Sequence, residues 1–211
     1  MTAASRLILC SHPLVQEALA GLRDKATPPE RFRALLDTAS TVMGVEALAA
    51  LKTRAASVQT PLKAAPVKVL DQPVVLAAVL RAGLGLLPGL LRLVPQARVG
   101  HIGLYRNEET LNPVRYYVRL PKDLDRSFVI LLDPMLATGG SAVEALRILK
   151  TDGAAQITLL SLLAAKAGVR RVQREHPDVT IVTAAVDSVL NRHGYIVPGL
   201  GDAGDRLFGT F

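Results

Sequence analysis

The feature that most limits the fold of this chain is a series of short apolar runs that alternate with helical patterns beyond about residue 70. The runs are rich in Val, Ile and Leu along their whole length, which is typical of strands buried on both faces of a parallel sheet. Because helical patterns separate most of the runs, we predict an α/β fold with a doubly wound parallel sheet. The predicted strands are Val74–Leu80, Arg98–Tyr105, Phe128–Asp133, Ile157–Ala165 and Val179–Asp187, and the predicted helices between them are Gly85–Leu93, Ser141–Asp152 and Lys166–His176.

Other segments predict additions to this sheet. Apolar residues of helical period indicate two helices before it, Leu14–Lys25 and Pro28–Arg54. The stretch Thr60–Pro66 breaks that pattern and predicts a linker or a short hairpin. The segment Asn107–Pro121 alternates polar and apolar residues, so we interpret it as an antiparallel flap.

Composition excludes several classes of protein. The net charge is +7, but the basic residues are dispersed and aromatic residues make up only 4% of the chain, which argues against a dedicated nucleic-acid surface. Arginine also suits phosphorylated small molecules. Cys10 is the single cysteine, so an intrachain disulfide and a cysteine-based zinc site are excluded. No signal peptide and no apolar membrane span is predicted, so we expect a cytoplasmic protein.

The most specific motif runs from Phe128 to Ala142. A buried strand ends at Asp133, and Thr138-Gly-Gly-Ser141 follows where a helix should begin. Backbone N–H groups at such a helix start, together with the hydroxyl groups, bind phosphate. No Lys precedes Ser141, so this is not a Walker A loop and the expected ligand is a phosphomonoester without a γ-phosphate. Asp133 would lie in the same crevice and accept hydrogen bonds from sugar hydroxyls.

A second glycine pattern lies near the end of the sequence. Gly199, Gly201 and Gly204 have the spacing of a dinucleotide-binding turn. That turn needs a following helix, a further strand and an acid roughly 20 residues on. The sequence ends at Phe211, so the dinucleotide interpretation fails. The mixture of Tyr, Ile, Val, Leu and Phe around these glycines predicts an ordered loop instead.

Four segments in order resemble the type I phosphoribosyltransferases. The wording DPMLATGGSA (Asp133–Ala142) resembles the ribose-5-phosphate loop of the uracil phosphoribosyltransferase family. Leu80–Gly85, Val99–Arg106 and Gly194–Thr210 are also similar to that family. Many relatives in the wider class carry a second acid where this chain has Pro134, which matches the uracil branch and argues against the purine branch.

The resemblance implies a type I phosphoribosyltransferase-like sheet with N-terminal helices, a β flap and a small C-terminal hood that holds the base. We expect one domain, with a helical extension and linker over about residues 1–65. The core would cover about 66–190, including the flap at 107–121, and the hood about 191–211. The Leu- and Ala-rich N-terminal helices offer apolar surface through which copies of the chain would associate.

The implied reaction transfers the 5-phosphoribosyl group from phosphoribosyl pyrophosphate (PRPP) to N1 of uracil, giving UMP and pyrophosphate in pyrimidine salvage. By resemblance, Arg81 in the pyrophosphate loop and Arg106 at the base of the flap stabilise the departing pyrophosphate. Arginine suits this role because it stays charged and offers paired donors. Asp202 would face the ribose, the pyrophosphate or hydrated Mg²⁺, and these three residues are the predicted catalytic set.

The resemblance also assigns residues to each substrate. Uracil presents an acceptor–donor–acceptor edge that backbone groups of a rigid loop can match without any side chain. Tyr195 would pack nearby, while Gly199 and Gly204 would only shape the loop. The predicted PRPP-binding residues are Arg81, Arg106, Asp133, Pro134, Met135, Leu136, Ala137, Thr138, Gly139, Gly140, Ser141 and Asp202. The predicted uracil-binding residues are Ile196, Gly201, Asp202 and Ala203.

The family also implies Mg²⁺ as cofactor. The ion would be carried by PRPP, with no direct protein ligand and at most a water-mediated contact to Asp202. The resemblance further implies a homodimer or homotetramer and allows for GTP as an allosteric effector.

Two alternatives remain open at this point. One is a phosphoribosyltransferase-like regulator that binds nucleotides and RNA. The other is an enzyme for another base, such as a purine or orotate; the carboxylate of orotate would need a cation in the hood, for which Arg192 or Arg206 could serve. His101 lies within an apolar run and is interpreted as a packed histidine, and the histidines show no spacing typical of a zinc site.

Overall fold

A mostly parallel β-sheet forms the centre of the molecule in a computed structural model that describes residues 6–106 and 113–210. The strands are β1 (Leu7–Leu9), β2 (Thr53–Gln59), β3 (Ala64–Leu70), β4 (Val74–Leu80), β5 (Arg98–Arg106), β6 (Pro113–Arg119), β7 (Phe128–Leu132), β8 (Met135–Leu136), β9 (Gln156–Ala165), β10 (Thr180–Asp187), β11 (Val189–Leu190) and β12 (Ile196–Val197). The α-helices are α1 (Pro13–Arg23), α2 (Pro29–Leu48), α3 (Leu87–Leu93), α4 (Gly140–Thr151), α5 (Lys166–Glu175) and α6 (Ala203–Phe208).

The order of strands across the main sheet is β1-β10-β9-β7-β4-β5-β6, with β8 also paired to β9. β6 runs antiparallel to β5, whereas the other pairings in this sheet are parallel. The predicted α/β fold is therefore confirmed, and the five predicted strands correspond to β4, β5, β7, β9 and β10. Since the central strands are parallel, their carboxyl ends meet at one edge, where such sheets bind ligands.

Alternate residues of the strands enter two separate cores. On β4, Leu76 contributes to the core beneath α1, α2 and α3, and Ala77 to the core beneath α4 and α5. Both are fully buried. This two-sided burial is the physical reason why the strands are apolar throughout.

The N-terminal helices belong to one of these cores. Val15 of α1 and Phe32 and Met43 of α2 are each fully buried in it. Most apolar residues of these helices are thus buried, and the apolar surface expected to serve assembly is confined to exposed residues such as Leu14 and Val45. β1, which was not predicted, adds an edge strand beside β10.

The hairpin formed by β2 and β3 differs most from the prediction. The second helix ends at Leu48 rather than at Arg54, and Thr53–Gln59 pairs antiparallel with Ala64–Leu70. The boundary expected between residues 65 and 66 therefore lies within a strand. The sequence of β2 is compatible with a helix or with a strand. Its pairing with β3 across the turn at 60–63 favours the strand.

The flap begins as predicted, because β6 folds back antiparallel on β5. The connecting residues 107–112 lie outside the described part of the chain. Within the described residues, no helix is long and apolar enough to cross a membrane.

Candidate active site

The loop between β7 and α4 forms the first part of the candidate site. Asp133 follows β7, and α4 begins at Gly140 with Gly139 as its N-terminal cap. Gly139 has a φ of +79°, and a side chain there would crowd the carbonyl of Gly168 on α5. Only glycine takes this conformation without strain. The turn leads directly into α4, whose first backbone N–H groups lack helical partners and suit a phosphate group.

This loop lines a cavity of about 270 Å³, called the loop cavity below. Pro134 alone in the predicted run 133–141 does not line it; Pro134 is buried, and its carbonyl accepts a hydrogen bond from the Leu163 N–H at 3.0 Å. The turn after β4 and the C-terminal segment complete the walls. The lining residues are Val79, Leu80, Arg81, Ala82, Leu104, Asp133, Met135, Leu136, Ala137, Thr138, Gly139, Gly140, Ser141, Ala142, Asp202 and Gly204.

A second cavity of about 360 Å³, called the hood cavity below, adjoins the first. It contains all four predicted uracil-binding residues. The two cavities have Ala82, Met135, Ala137, Asp202 and Gly204 in common, so they are continuous. The hood cavity is lined by those five residues and by His193, Gly194, Tyr195, Ile196, Gly201 and Ala203.

Asp202 lies where the cavities meet. It caps α6, and its Oδ1 accepts a hydrogen bond from the backbone N–H of Asp205 at 3.0 Å. Its Oδ2 lies 3.5 Å from the hydroxyl of Tyr195. The carboxylate is therefore oriented by the helix it caps while remaining exposed to both cavities.

Arg81 brings positive charge to the loop cavity. Its guanidinium donates to Asp205 at 3.0 Å and to the Thr210 hydroxyl at 3.4 Å, and it lies 5.8 Å from the centre of the Phe208 ring. The Thr210 hydroxyl and Arg81 hold the pKa of Asp205 below its ordinary value. Arg106, the other predicted cation, ends β5, and its side chain lies outside the described residues.

Asp133 is a half-buried acid that lines the loop cavity. Burial raises its pKa from 3.8 to about 6, and a hydrogen bond of 3.4 Å from the Met135 N–H partly opposes this shift. The hydroxyl of Ser161 donates to the Asp133 carbonyl at 2.6 Å and so fixes the backbone at the end of β7. Asp133 is mostly ionised at pH 7 and becomes protonated in mild acid.

The glycine-rich loop before α4 and the C-terminal segment line two adjoining cavities, and a family model described as uracil phosphoribosyltransferase matches residues 8–210. The chain belongs to the uracil phosphoribosyltransferase family. A uracil phosphoribosyltransferase from Thermus thermophilus is 54% identical over 206 residues, which cover 97% of this chain and 99% of the relative.

Solved structures confirm the predicted type I phosphoribosyltransferase-like fold. The AQ2163 protein from Aquifex aeolicus is 38% identical, with a TM-score of 0.92 over 97% of this chain and 98% of that one. A hypoxanthine-guanine phosphoribosyltransferase from Bacillus anthracis is 10% identical, with a TM-score of 0.50 over 75% of this chain and 80% of that one. This second likeness concerns the fold alone.

The structure does not favour orotate as the base. Arg206 donates to the carbonyls of Leu22, Leu200 and Asp24, and its guanidinium lies 4.6 Å from the centre of the Phe32 ring. Arg192 donates to the ring of its neighbour His193. Neither arginine lines the hood cavity, so neither presents a cation to a carboxylate on the base.

Several residues of the site were not predicted from the sequence. Asp205 holds Arg81, and Ala82 walls both cavities. Leu104 and Val79 close the loop cavity, and His193 closes the hood cavity. Ala82, Leu104 and Asp205 lie within the segments that resemble the family, which is the signal that could have found them, whereas Val79 and His193 lie just outside those segments.

Proposed function

We propose that the loop cavity binds PRPP and the hood cavity binds uracil. The family's activity is the formation of UMP and pyrophosphate from these two substrates, and membership of the family assigns that activity to this chain. The observation that carries the assignment of the cavities is their continuity at Asp202, Ala82 and Gly204. Two substrates held in adjoining volumes can bring N1 of the base against C1 of the sugar, which is the main requirement of a displacement reaction.

For PRPP, we propose that the loop at 137–141 binds the 5-phosphate and that Asp133 accepts hydrogen bonds from the ribose hydroxyls. The glycine turn and the start of α4 support the first role. The half-buried carboxyl group after β7 supports the second, because a charged acceptor forms stronger hydrogen bonds where it is partly shielded from water. Met135 and Leu136 line the same wall.

For uracil, we propose recognition through the main chain of Ile196, Gly201 and Ala203, with Asp202 beside them. Six of the eleven residues that line the hood cavity are glycine or alanine, which leaves the main chain accessible and supports this arrangement. Gly201 has a φ of +81°, a conformation that L side chains rarely adopt. The loop can therefore bring its backbone close to a planar ligand.

We propose that catalysis is chiefly electrostatic. The bond between N1 and C1 forms as the bond from C1 to pyrophosphate breaks, and N1 gives up its proton. Arg81 and Arg106 stabilise the negative charge that collects on the leaving pyrophosphate. Asp202 stabilises the positive charge that develops on the sugar or holds the hydrated metal ion.

We propose Mg²⁺ as the cofactor. The described residues contain no cluster of three potential metal ligands, and Asp202 lines the loop cavity. One exposed carboxylate fits an Mg²⁺ ion that keeps its waters and is carried by the phosphates of PRPP, with at most a water-mediated contact to Asp202. The ion would neutralise charge on the pyrophosphate of PRPP.

Base selectivity tests the proposed function. We expect uracil to be converted with PRPP, and cytosine, orotate and hypoxanthine to react roughly 10³-fold or more slowly in kcat/KM, because a site built around a hydrogen-bonding edge rejects mismatched groups strongly. The amino group of cytosine would place a donor against a donor. Orotate has the same edge as uracil, but its carboxylate would meet no arginine in the lining of the hood cavity. Steady-state assays of UMP, cytidylate, orotidylate and inosinate formation with one PRPP stock would measure this. Preferential turnover of any other base would contradict the assignment of the hood cavity.

The pH dependence tests the role of Asp133. Since its raised pKa of about 6 belongs to the free protein, kcat/KM for PRPP should fall as the pH drops through 6. PRPP also titrates in this range, so the Asp133→Asn variant serves as the reference. We expect kcat/KM of the wild type to exceed that of the variant at pH 8 and the ratio to shrink by pH 5. A ratio independent of pH would contradict an ionised Asp133 as the ribose acceptor.

The raised pKa of Asp133 affects stability in the direction opposite to its effect on activity. The folded state binds the Asp133 proton more tightly than the unfolded state, so the stabilising contribution of this group is present below about pH 4 and is lost as the pH rises through 6. The unfolding free energy of Asp133→Asn relative to wild type should therefore rise between pH 4 and pH 7. Urea titrations at both pH values would measure it.

We also propose a homodimer or homotetramer. The β2–β3 hairpin supports this, since it is paired only with itself in the described sheets, and it exposes Leu62 in its turn at 94% and Val58 on β2 at 45%. A lone two-stranded hairpin is marginal in water, so a partner surface is expected to cover it. Sedimentation velocity would measure the state, and a monomer at micromolar concentration would contradict the proposal.

Two further proposals rest on the family resemblance. We propose that the protein is cytoplasmic and that GTP acts as an effector, which a comparison of initial rates with and without GTP would test. The alternative of an RNA-binding regulator predicts RNA affinity that falls steeply with salt, and filter binding across a salt series would reveal it.

A further inference from the structure

An ion pair between α1 and the end of β10 holds Gly199, which lies between the proposed uracil-binding residues Ile196 and Gly201. Arg23 donates to both carboxylate oxygens of Asp187 at 2.8 Å each and to the carbonyl of Gly199 at 2.9 Å. Asp187 in turn accepts the N–H of Gly199 at 2.9 Å. Both backbone polar groups of Gly199 are therefore bound by this one pair, called the Arg23–Asp187 clamp below.

Gly199 occupies a position that tolerates no other residue. Its φ is +61°, and a Cβ there would overlap the carbonyl of Ile196. Ile196 lies three residues before it and Gly201 two residues after it, and both line the hood cavity. The expectation that Gly199 only shapes the loop is therefore incomplete, since its backbone is also the anchor point of the hood.

The clamp lies outside the cavities that would bind the substrates. Neither Arg23 nor Asp187 lines the loop cavity or the hood cavity. The Asp187 side chain is only 10% exposed, and the hydrogen bonds from Arg23, followed by that from the Gly199 N–H, hold its pKa below the ordinary value. Asp187 is thus ionised at neutral pH, and the clamp holds Gly199 without lining either cavity.

A second tie joins the same parts of the molecule. Arg206 donates to the carbonyl of Leu200 in the hood at 2.9 Å and to that of Asp24, just after α1, at 2.6 Å. The turn that ends α1 thus contacts the hood through two arginines. This gives the N-terminal helices a role at the site that the sequence did not indicate.

We propose that Arg23 and Asp187 are positioning residues for uracil: their clamp on Gly199 fixes the backbone groups of residues 196–203 that recognise the base. The inference rests on the proposed function of the hood cavity. A loop that recognises its ligand through backbone groups binds well only if it is already ordered before the ligand binds, because ordering a flexible loop reduces affinity. Small misplacements of such groups carry large kinetic effects.

The test compares Arg23→Ala, Arg23→Lys and Asp187→Asn with wild type. We expect Arg23→Ala to raise KM for uracil by roughly 10- to 100-fold while KM for PRPP changes little. Arg23→Lys should recover part of the loss, since lysine keeps the charge but not the two-pronged contact. An unchanged KM for uracil, or an equal rise in both KM values, would overturn the proposal.

Arg98→Ala is the matched control for stability. Arg98 pairs with Asp123, but it stands at the start of β5, at the opposite edge of the sheet from the site. Both alanine variants remove a partly buried ion pair, and only Arg23→Ala should change KM for uracil. If Arg98→Ala changes it equally, the effect is general destabilisation and the proposal fails.

Two further measurements keep the inference separate from the proposed function. The double variant Arg23→Ala/Asp187→Ala should lose no more than either single variant, because the two residues act as one unit; multiplied losses would contradict the clamp. Hydrogen exchange of the 196–203 amides should accelerate in Arg23→Lys without any substrate present. If the exchange rates of these amides are the same in Arg23→Lys and in wild type, the clamp is refuted. If the wild-type protein does not transfer the phosphoribosyl group to uracil, the proposed function is refuted instead.

Discussion

Replacing Asp202 by Asn is expected to lower kcat/KM for UMP formation by roughly 10²- to 10³-fold, the usual cost of removing one electrostatic stabiliser from an active site. Asp202 lies at the junction of the loop cavity and the hood cavity, where the new bond would form. Asn fills nearly the same volume and is an equally good helix cap, so the hydrogen bond from the Asp205 N–H is kept. The loss would therefore report the missing charge.

Asp202→Ala separates the charge from the cap. It removes both, so the unfolding free energy should fall by about 1 kcal/mol relative to Asp202→Asn. The two variants should nevertheless be similarly slow in steady-state assays. An Asp202→Asn enzyme with nearly normal kcat/KM would refute a catalytic charge at this position, and activity lost only in Asp202→Ala would identify the cap as the essential feature.

The parts of the site that lie within one continuous segment could be predicted from the sequence. The loop at 133–141 is such a segment: a buried strand, an acid and two glycines before a helix determine its geometry locally. The base loop is another, because Gly201 and its neighbours carry the needed backbone conformations in their own sequence. Local chemistry alone restricts these stretches to few structures.

The contacts between distant segments could not be predicted in the same way. Arg23 and Asp187 are 164 residues apart, and the sequence around each residue does not indicate which residue it pairs with. Arg81 and Asp205 are 124 residues apart, and their pairing exists only because the C-terminal helix packs against the turn after β4. Such pairs follow from the topology of the whole chain, which a local pattern does not specify.

The glycine at position 83 illustrates a packing requirement that its local sequence does not reveal. In the structure it is buried, and a Cβ there would overlap the Leu132 carbonyl at the end of β7. Glycine is needed for close packing of the turn against the central strand, which places the adjacent Arg81 at the mouth of the loop cavity.

Arg81→Ala is expected to lower kcat/KM for PRPP by roughly 10²- to 10³-fold, because the variant loses a fixed cation where pyrophosphate charge develops. Its ion pair with Asp205 is exposed to solvent, and exposed pairs contribute little to stability, so the fold should survive. Arg81→Lys should recover only part of the rate, since a lysine cannot make the paired contacts of a guanidinium.

Arg92→Ala provides the control for that experiment. Arg92 is 55% exposed, as Arg81 is, and likewise pairs with an aspartate, Asp37, but it lies on α3 and lines neither cavity. Equal small losses of stability in the two variants, with a rate loss only in Arg81→Ala, would show that the cation acts on the reaction. If Arg81→Ala retains wild-type kcat/KM for PRPP, the contact with Asp205 is structural only, and the pyrophosphate must be stabilised without Arg81.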